Sequence, residues 1–377
     1  MSDFAQSGLI ATLQQLNPAH GPVLESELAA LTPRIVLILP CHGADLERPA
    51  LTHIARELTG AGFLEEVLLC TNHASDSALQ RARSLFESVP ARLRILQTDS
   101  PRADTLLAGI PKGKGLNVWT GVGLLHHEKR NTLIALQDCD VSSFRRGDLA
   151  RLCYACAHPD LNYRFAKLYY NRATDRLYGR VSRLFFAPLL QTSVRLFGHQ
   201  PLTDFLLSFR YPLAGECAMD LSLASALPFS NHWGLETTML CDVFRHVDPR
   251  EVAQVASGTS YDHKHQPAAG ALESMCAQIA SALCSELEAE GVAFSSALKT
   301  LSQGYRREAA EALRRSAHLA RINGLPHDSA AEEQLVHGFA ATLESPAPAP
   351  AKLPPWSVLE KKQPSLLEEL PSLLWTG

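Results

Sequence analysis

The run Arg34-Ile-Val-Leu-Ile-Leu-Pro40 is apolar at every internal position and stops at a proline. A strand without polar alternation is stable only when both of its faces are covered, as in a parallel sheet held between layers of helices. The pattern recurs. Phe63 to Cys70, Leu93 to Gln97 and Thr132 to Gln137 read as further strands, and Pro49 to Thr59, Ser75 to Ser88 and about Leu116 to Glu128 read as helices between them. Strand and helix alternating at this spacing predict an α/β fold with a mostly parallel sheet flanked by helices. Sites in such sheets lie beyond the carboxyl ends of the strands, so the residues that follow each run are the candidates.

The second half reads differently. Residues 144–210 are expected to be mostly helical and are rich in arginine and aromatics, and a loop-rich stretch with Pro212, Pro228 and Trp233 follows. From about Ala268 to Leu343 the pattern is alanine-rich and helical, with charges on the exposed positions. Ser345-Pro-Ala-Pro-Ala-Pro-Ala reads as a linker, and the roughly twenty residues from Trp356 onward as either a docking helix or a disordered tail. Hydrophobic residues at 46% and charged residues at 20% suit a folded protein, and a formal charge of −4 argues against a general nucleic-acid binder. No apolar run reaches the roughly 20 residues that cross a bilayer, and no secretory signal is visible, so a cytoplasmic location is expected. The nine cysteines are scattered in apolar segments and read as reduced, buried thiols; Cys153 and Cys156 fall in a helix and read as packing.

Asp138-Cys-Asp140 directly after the fourth strand is the strongest chemical signal. In extended chain, residues two apart face the same side, so both carboxylates address one pocket. They repel unless a cation or hydrogen-bond donors compensate them, and a hard divalent ion bridging carboxylate and diphosphate oxygens does so. A pair of helix-capping acids is the plainer alternative. Lys112-Gly-Lys-Gly115 ahead of a helix could seat an anion or be an ordinary turn. Arg164 to Arg183 holds six basic residues against one acid, with tyrosines interleaved. That mixture suits nucleic acid, a phosphate or carboxylate pocket, or a solvated helix face. Tyr211-Pro-Leu-Ala-Gly-Glu216 and Trp233-Gly-Leu-Glu236 offer small residues, carboxylates and an aromatic wall in loop-like surroundings, as sugar sites require. Asp262-His-Lys-His265 follows a strand-like Val252 to Val255, and His263 could complete a metal site with the aspartates.

In order along the chain, Asp138-Cys-Asp140, Gly179-Arg180-Val181, Pro212-Leu-Ala-Gly-Glu216, Gly234-Leu-Glu236 and the His263 loop resemble the glucosyl-3-phosphoglycerate synthases of glycosyltransferase family 81, from about Arg34 to Pro267. The resemblance implies a GT-A, Rossmann-like fold with a helical C-terminal extension. It also implies UDP-glucose as donor, Mg2+ or Mn2+ as cofactor, 3-phosphoglycerate as acceptor, and retention of anomeric configuration by front-face attack. By that likeness Pro40, Asn72 and Lys114 bind the nucleotide, Asp138 faces the ribose, and Asp140 and His263 hold the metal. Leu213, Gly215 and Glu236 line the donor sugar, Leu213 and Glu236 being the catalytic candidates, while Arg180, Ser182 and His265 meet the acceptor. The implied division is a nucleotide-sugar-binding half at 1–143, an acceptor-binding and metal-completing half at 144–267, a helical region at 268–344 and a tail at 345–377. A homodimer is compatible with it; nucleic-acid and membrane partners are not expected. The chain departs from the family at Pro40-Cys-His-Gly-Ala-Asp45, where the usual P-A-L-N-E leaves Asp45 without a clear counterpart. Ser182 stands for a threonine and His265 for an asparagine. GDP-mannose as donor, glycerate or another small anion as acceptor, and a nucleotide-sugar-binding protein without turnover are the alternatives.

Overall fold

In the computed structural model, residues 8–258, 260–262, 269–344 and 351–377 are described. Eight strands form one sheet: β1 (Ala11–Leu13), β2 (Arg34–His42), β3 (Leu64–Asn72), β4 (Arg92–Gln97), β5 (Thr132–Leu136), β6 (Phe165–Tyr169), β7 (Cys217–Asp220) and β8 (Val252–Ala256). Their spatial order is β1-β8-β6-β7-β5-β2-β3-β4. All pairs are parallel except those of β7, which runs antiparallel between β5 and β6.

Alternation along β2 explains why its whole length is apolar. Val36 and Ile38 join Leu68, Cys70 and Trp119 in the core on one face, while Ile35, Leu37 and Leu39 join Leu51, Ile54 and Leu69 on the other. The helix Lys114–His127 lies on the first face and Pro49–Leu58 on the second.

The stretch 144–210 is mostly helical as expected, but it also holds β6, a central strand that the pattern does not show. Its Phe-Ala-Lys-Leu-Tyr sequence places a lysine at the middle position, which hides the strand from any apolar pattern. β1 and β7 also went unread, one being three residues long and the other lacking β-branched residues. The basic segment likewise dissolves into separate roles. Arg164 pairs with Asp220 at 3.5 Å, Arg176 with its neighbour Asp175 at 2.9 Å, Arg183 with Glu332, and Lys167 is buried in the sheet.

The tail is docked. Trp356 stacks on Trp119 with ring centroids 4.0 Å apart, and each indole N–H donates to backbone of the other segment. Lys352 reaches Asp242 at 2.8 Å and Glu286 at 2.7 Å. The proposed linker residues 345–350 lie outside the described residues. All nine cysteines are unpaired, and burial pushes the Cys153 and Cys156 thiols up, in keeping with packing. Among the described residues no helix is long and apolar enough to cross a membrane.

Candidate functional site

From β2 the chain steps outward through β3 to β4, then returns to place β5 on the other side of β2. Such a reversal opens a crevice at the carboxyl ends of the two strands. A cavity of about 760 Å³ fills it here. Its walls come from the end of β2 (Pro40, His42), the end of β3 (Asn72), the loop after β5 (Asp138, Asp140) and the loop entering β7 (Leu213, Gly215). The first turns of Lys114–His127 and Leu235–His246 add Lys114 and Glu236, and the segment after β6 adds Arg180 and Ser182. Every described residue to which the resemblance gives a donor, acceptor, metal or catalytic role therefore lines one cavity. His263 and His265 lie outside the described residues.

At the floor, the Lys114 ammonium sits 2.6 Å from Asp138 and 2.8 Å from Glu236. Burial alone would pull it down, but the two carboxylates outweigh burial and hold it well above the ordinary lysine value. Glu236 is helical, not in a loop as its surroundings suggested; it stands in the first turn, where a carboxylate is favoured by the helix dipole. The helix bearing Lys114 begins two residues earlier than expected. Gly115 is required there, since a Cβ would lie 2.0 Å from the Ser230 carbonyl oxygen. Gly215 is constrained more directly: a Cβ would come within 2.4 Å of an Asp138 oxygen and 2.7 Å of the Lys114 nitrogen. A side chain at 215 would occupy the space between these charges and any ligand.

Asp140 carries the case for a metal. Burial first, then the neighbouring Asp138 charge, push its carboxyl up to about 6. A half-buried carboxylate beside a second one, with a single ammonium already shared between Asp138 and Glu236, is short of positive charge. A hard divalent cation supplies it, and oxygen donors suit Mg2+ or Mn2+. Among the described residues no three His, Cys, Asp or Glu side chains group as a metal site. The chain leading to His263 is nonetheless pinned beside the aspartate loop. The Ser142 amide donates to the Asp262 carbonyl at 2.8 Å, and the Asp262 amide to the Ser143 hydroxyl at 2.7 Å.

Arg180 is half-buried and lines the same cavity with Arg172. Burial, then the nearby Arg183 charge, lower its guanidinium below the ordinary value. Within the described residues no carboxylate lies within ion-pair distance of Arg180 or Arg172, so this pair attracts an anion. Beneath the floor, Glu216 is fully buried, accepts from the Tyr170 hydroxyl at 3.0 Å, and is pushed up to about 7 by burial and then by Asp138.

Sequence reasoning missed several walls. His42 and His73, with rings 5.1 Å apart, stand at the β2 and β3 ends. Asn231 accepts from the Leu116 amide at 2.8 Å and so ties the Trp233 loop to the Lys114 helix. Met275 and Gln278 come from the helix Ala269–Ala289. No local pattern announces these, because only packing brings that helix over the cavity.

No protein-family model matches the chain. A glucosyl-3-phosphoglycerate synthase of Persephonella marina is 33% identical over 359 residues, covering 91% of this chain and 89% of that protein. The protein of the same name from Methanococcoides burtonii is 27% identical, covering 89% and 88%. The fold matches crystal structures of Mycobacterium tuberculosis glucosyl-3-phosphoglycerate synthase. One holds Mn2+, UDP and glucosyl-3-phosphoglycerate (TM-score 0.56, 22% identity, 74% of this chain and 87% of that one). Another holds Mn2+, UDP-glucose and phosphoglyceric acid (TM-score 0.55, 21% identity, 74% and 87%). With one-third identity maintained across nine-tenths of its length, and a fold that matches solved structures of the same name, the chain belongs to the glucosyl-3-phosphoglycerate synthase family.

Proposed function

We propose that this protein transfers glucose from UDP-glucose to the hydroxyl of 3-phosphoglycerate, releasing UDP and giving glucosyl-3-phosphoglycerate, with Mn2+ or Mg2+ bound. The observation that carries the reading is polarity within one cavity. Acidic Asp138 and Asp140 and the guanidiniums of Arg180 and Arg172, which no described carboxylate pairs, line the same space. A nucleotide diphosphate with its metal suits the first pair, and an anionic acceptor the second.

In this reading Asp138 accepts from the ribose, and Pro40 and Asn72 flank the base. Glu236 accepts from a glucose hydroxyl while Lys114 holds it in place. Leu213 and Gly215 bring backbone against the sugar ring. Arg180 and Ser182 grip the acceptor, and His265 joins them. The C1–O bond to the diphosphate breaks, the acceptor oxygen bonds to C1 on the same face, and the hydroxyl proton leaves with the departing phosphate oxygen or solvent. Asp140 and His263 would hold the ion, which when bound neutralises charge on the departing UDP. The protein's share is orientation and fixed charge.

A nucleotide-release assay with Mn2+ tests this, crossing UDP-glucose and GDP-mannose against 3-phosphoglycerate, glycerate and no acceptor. UDP release only with UDP-glucose and 3-phosphoglycerate is the expected result. Release with another pair would keep the chemistry and replace the substrates. No release by folded protein that binds UDP would leave a binding protein.

A further inference from the structure

Lys167 is the most deeply buried cation on the cavity side of the sheet, and none of the roles above uses it. It stands at the centre of β6, 1% exposed, opposite Cys217 of β7 and Gln254 of β8. Burying an ammonium is costly unless it is hydrogen-bonded and compensated. Its partner is the Ala214 carbonyl, to which the ammonium donates. Ala214 is itself fully buried, while its neighbours Leu213 and Gly215 both line the cavity.

The local backbone is thus held from two directions. The Ala214 amide donates to the Tyr211 carbonyl at 3.2 Å and closes a turn, and Lys167 holds the next carbonyl from the protein side. The Ala214–Gly215 peptide is trans, so its C=O and N–H point opposite ways. A carbonyl drawn toward Lys167 turns the Gly215 N–H away from Lys167, and a Cβ at 215 would meet Asp138 and Lys114, so this backbone abuts the charges of the cavity floor.

We infer that Lys167 is a positioning residue of the transfer site, fixing the Ala214 carbonyl so that Leu213 and Gly215 present a preset backbone to the sugar nucleotide. The inference rests on the transferase reading. Burial pulls the Lys167 ammonium below its ordinary value, opposed by Cys217, Glu236 and Glu216, which places its charge among the groups of the cavity floor.

The test compares Lys167→Met and Lys167→Gln with the unmodified protein. The readouts are UDP release with UDP-glucose, Mn2+ and 3-phosphoglycerate, UDP affinity by calorimetry, and the thermal midpoint. Misplaced backbone predicts a kcat loss of about 10²-fold in the Met variant, from the usual sensitivity of catalysis to small displacements. UDP affinity and both KM values should stay within about threefold, because the damage falls on the transition state. The Gln variant keeps an N–H donor without the charge and should recover part of the loss. A Met variant that binds UDP normally and turns over within about threefold of the unmodified protein overturns the inference. So do parallel losses of kcat, UDP affinity and thermal midpoint in both variants, which make Lys167 a fold residue. A crystal structure of the unmodified protein with UDP-glucose and Mn2+ decides the point without any variant. The Gly215 N–H should face the donor, and a flipped peptide with the Ala214 carbonyl on the ligand would sink the idea. Absence of turnover in the unmodified protein would count against the transferase reading instead, and the crystal structure would still decide the role of Lys167.

Discussion

At the amino-terminal end of β3, Glu66 is buried against Arg94 of β4 at 2.7 Å and Arg130 at 2.8 Å, and Arg94 also holds Glu128. Beyond the carboxyl end of β5, Asp138, Asp140, Glu216 and Glu236 gather around Lys114, with Lys167 behind. Both are charge clusters withdrawn from water on one sheet. In the first every acid, Glu65, Glu66 and Glu128, has an arginine partner in Arg94 or Arg130, and it is complete without a ligand. The second holds more acid than base, and its surplus appears as the raised Asp140 and Glu216 carboxyls. A cluster that balances itself serves the fold. One that does not is arranged around something that arrives later.

The largest effect expected from this contrast is at Asp140. Asp140→Asn should lower turnover by about 10³-fold, the scale for loss of a preorganised electrostatic group. The metal-free variant should melt no lower than the unmodified protein, because a like charge has been removed from an overloaded cluster. Normal turnover would remove the metal from the cavity floor. Arg94→Met is the mirror experiment. It leaves Glu66 and Glu128 with Arg130 alone and should cost about 3 kcal/mol in denaturant unfolding, while the kcat of the folded fraction is preserved. A kcat loss there would mean that the two clusters communicate.

Ligation should separate them as well. Mn2+ at a hundredfold excess over its Kd should stabilise the protein by about 2.7 kcal/mol. The same increment should appear in Arg94→Met and vanish in Asp140→Asn, followed as thermal midpoints with and without EDTA. An unchanged increment in Asp140→Asn would place the ion elsewhere. The smallest effect concerns the basic side chains of the cavity. Arg180→Ala should raise the KM for 3-phosphoglycerate about tenfold, the value of one charge-assisted contact, with the UDP-glucose KM little changed. Equal changes in both would make Arg180 structural.

Much of this arrangement was legible in the chain. The continuous apolar run of β2 demanded two covered faces, and Asp138 and Asp140 directly after β5 marked the crevice, because strand periodicity and the position of strand ends are local properties. The D-x-D, Gly179-Arg180-Val181 and Pro212-Leu-Ala-Gly-Glu216 motifs could be named for the same reason: each is contiguous. Lys167 shows the limit. In sequence it is one more base in an arginine-rich stretch, and the neighbours that make it buried, Cys217 and Gln254, are fifty or more positions away.

The layered α/β sheet, the carboxylate pair at its crest and the identity of the groups available for chemistry follow from residue type and short-range spacing. Which charges are compensated emerges only on folding. Glu66 finds two arginines, Asp138 and Glu236 share Lys114, and Asp140 is left in surplus. Electrostatic balance depends on distance and burial in space. Pairs such as Lys114 with Glu236, 122 positions apart, meet only once the sheet and its helices have packed.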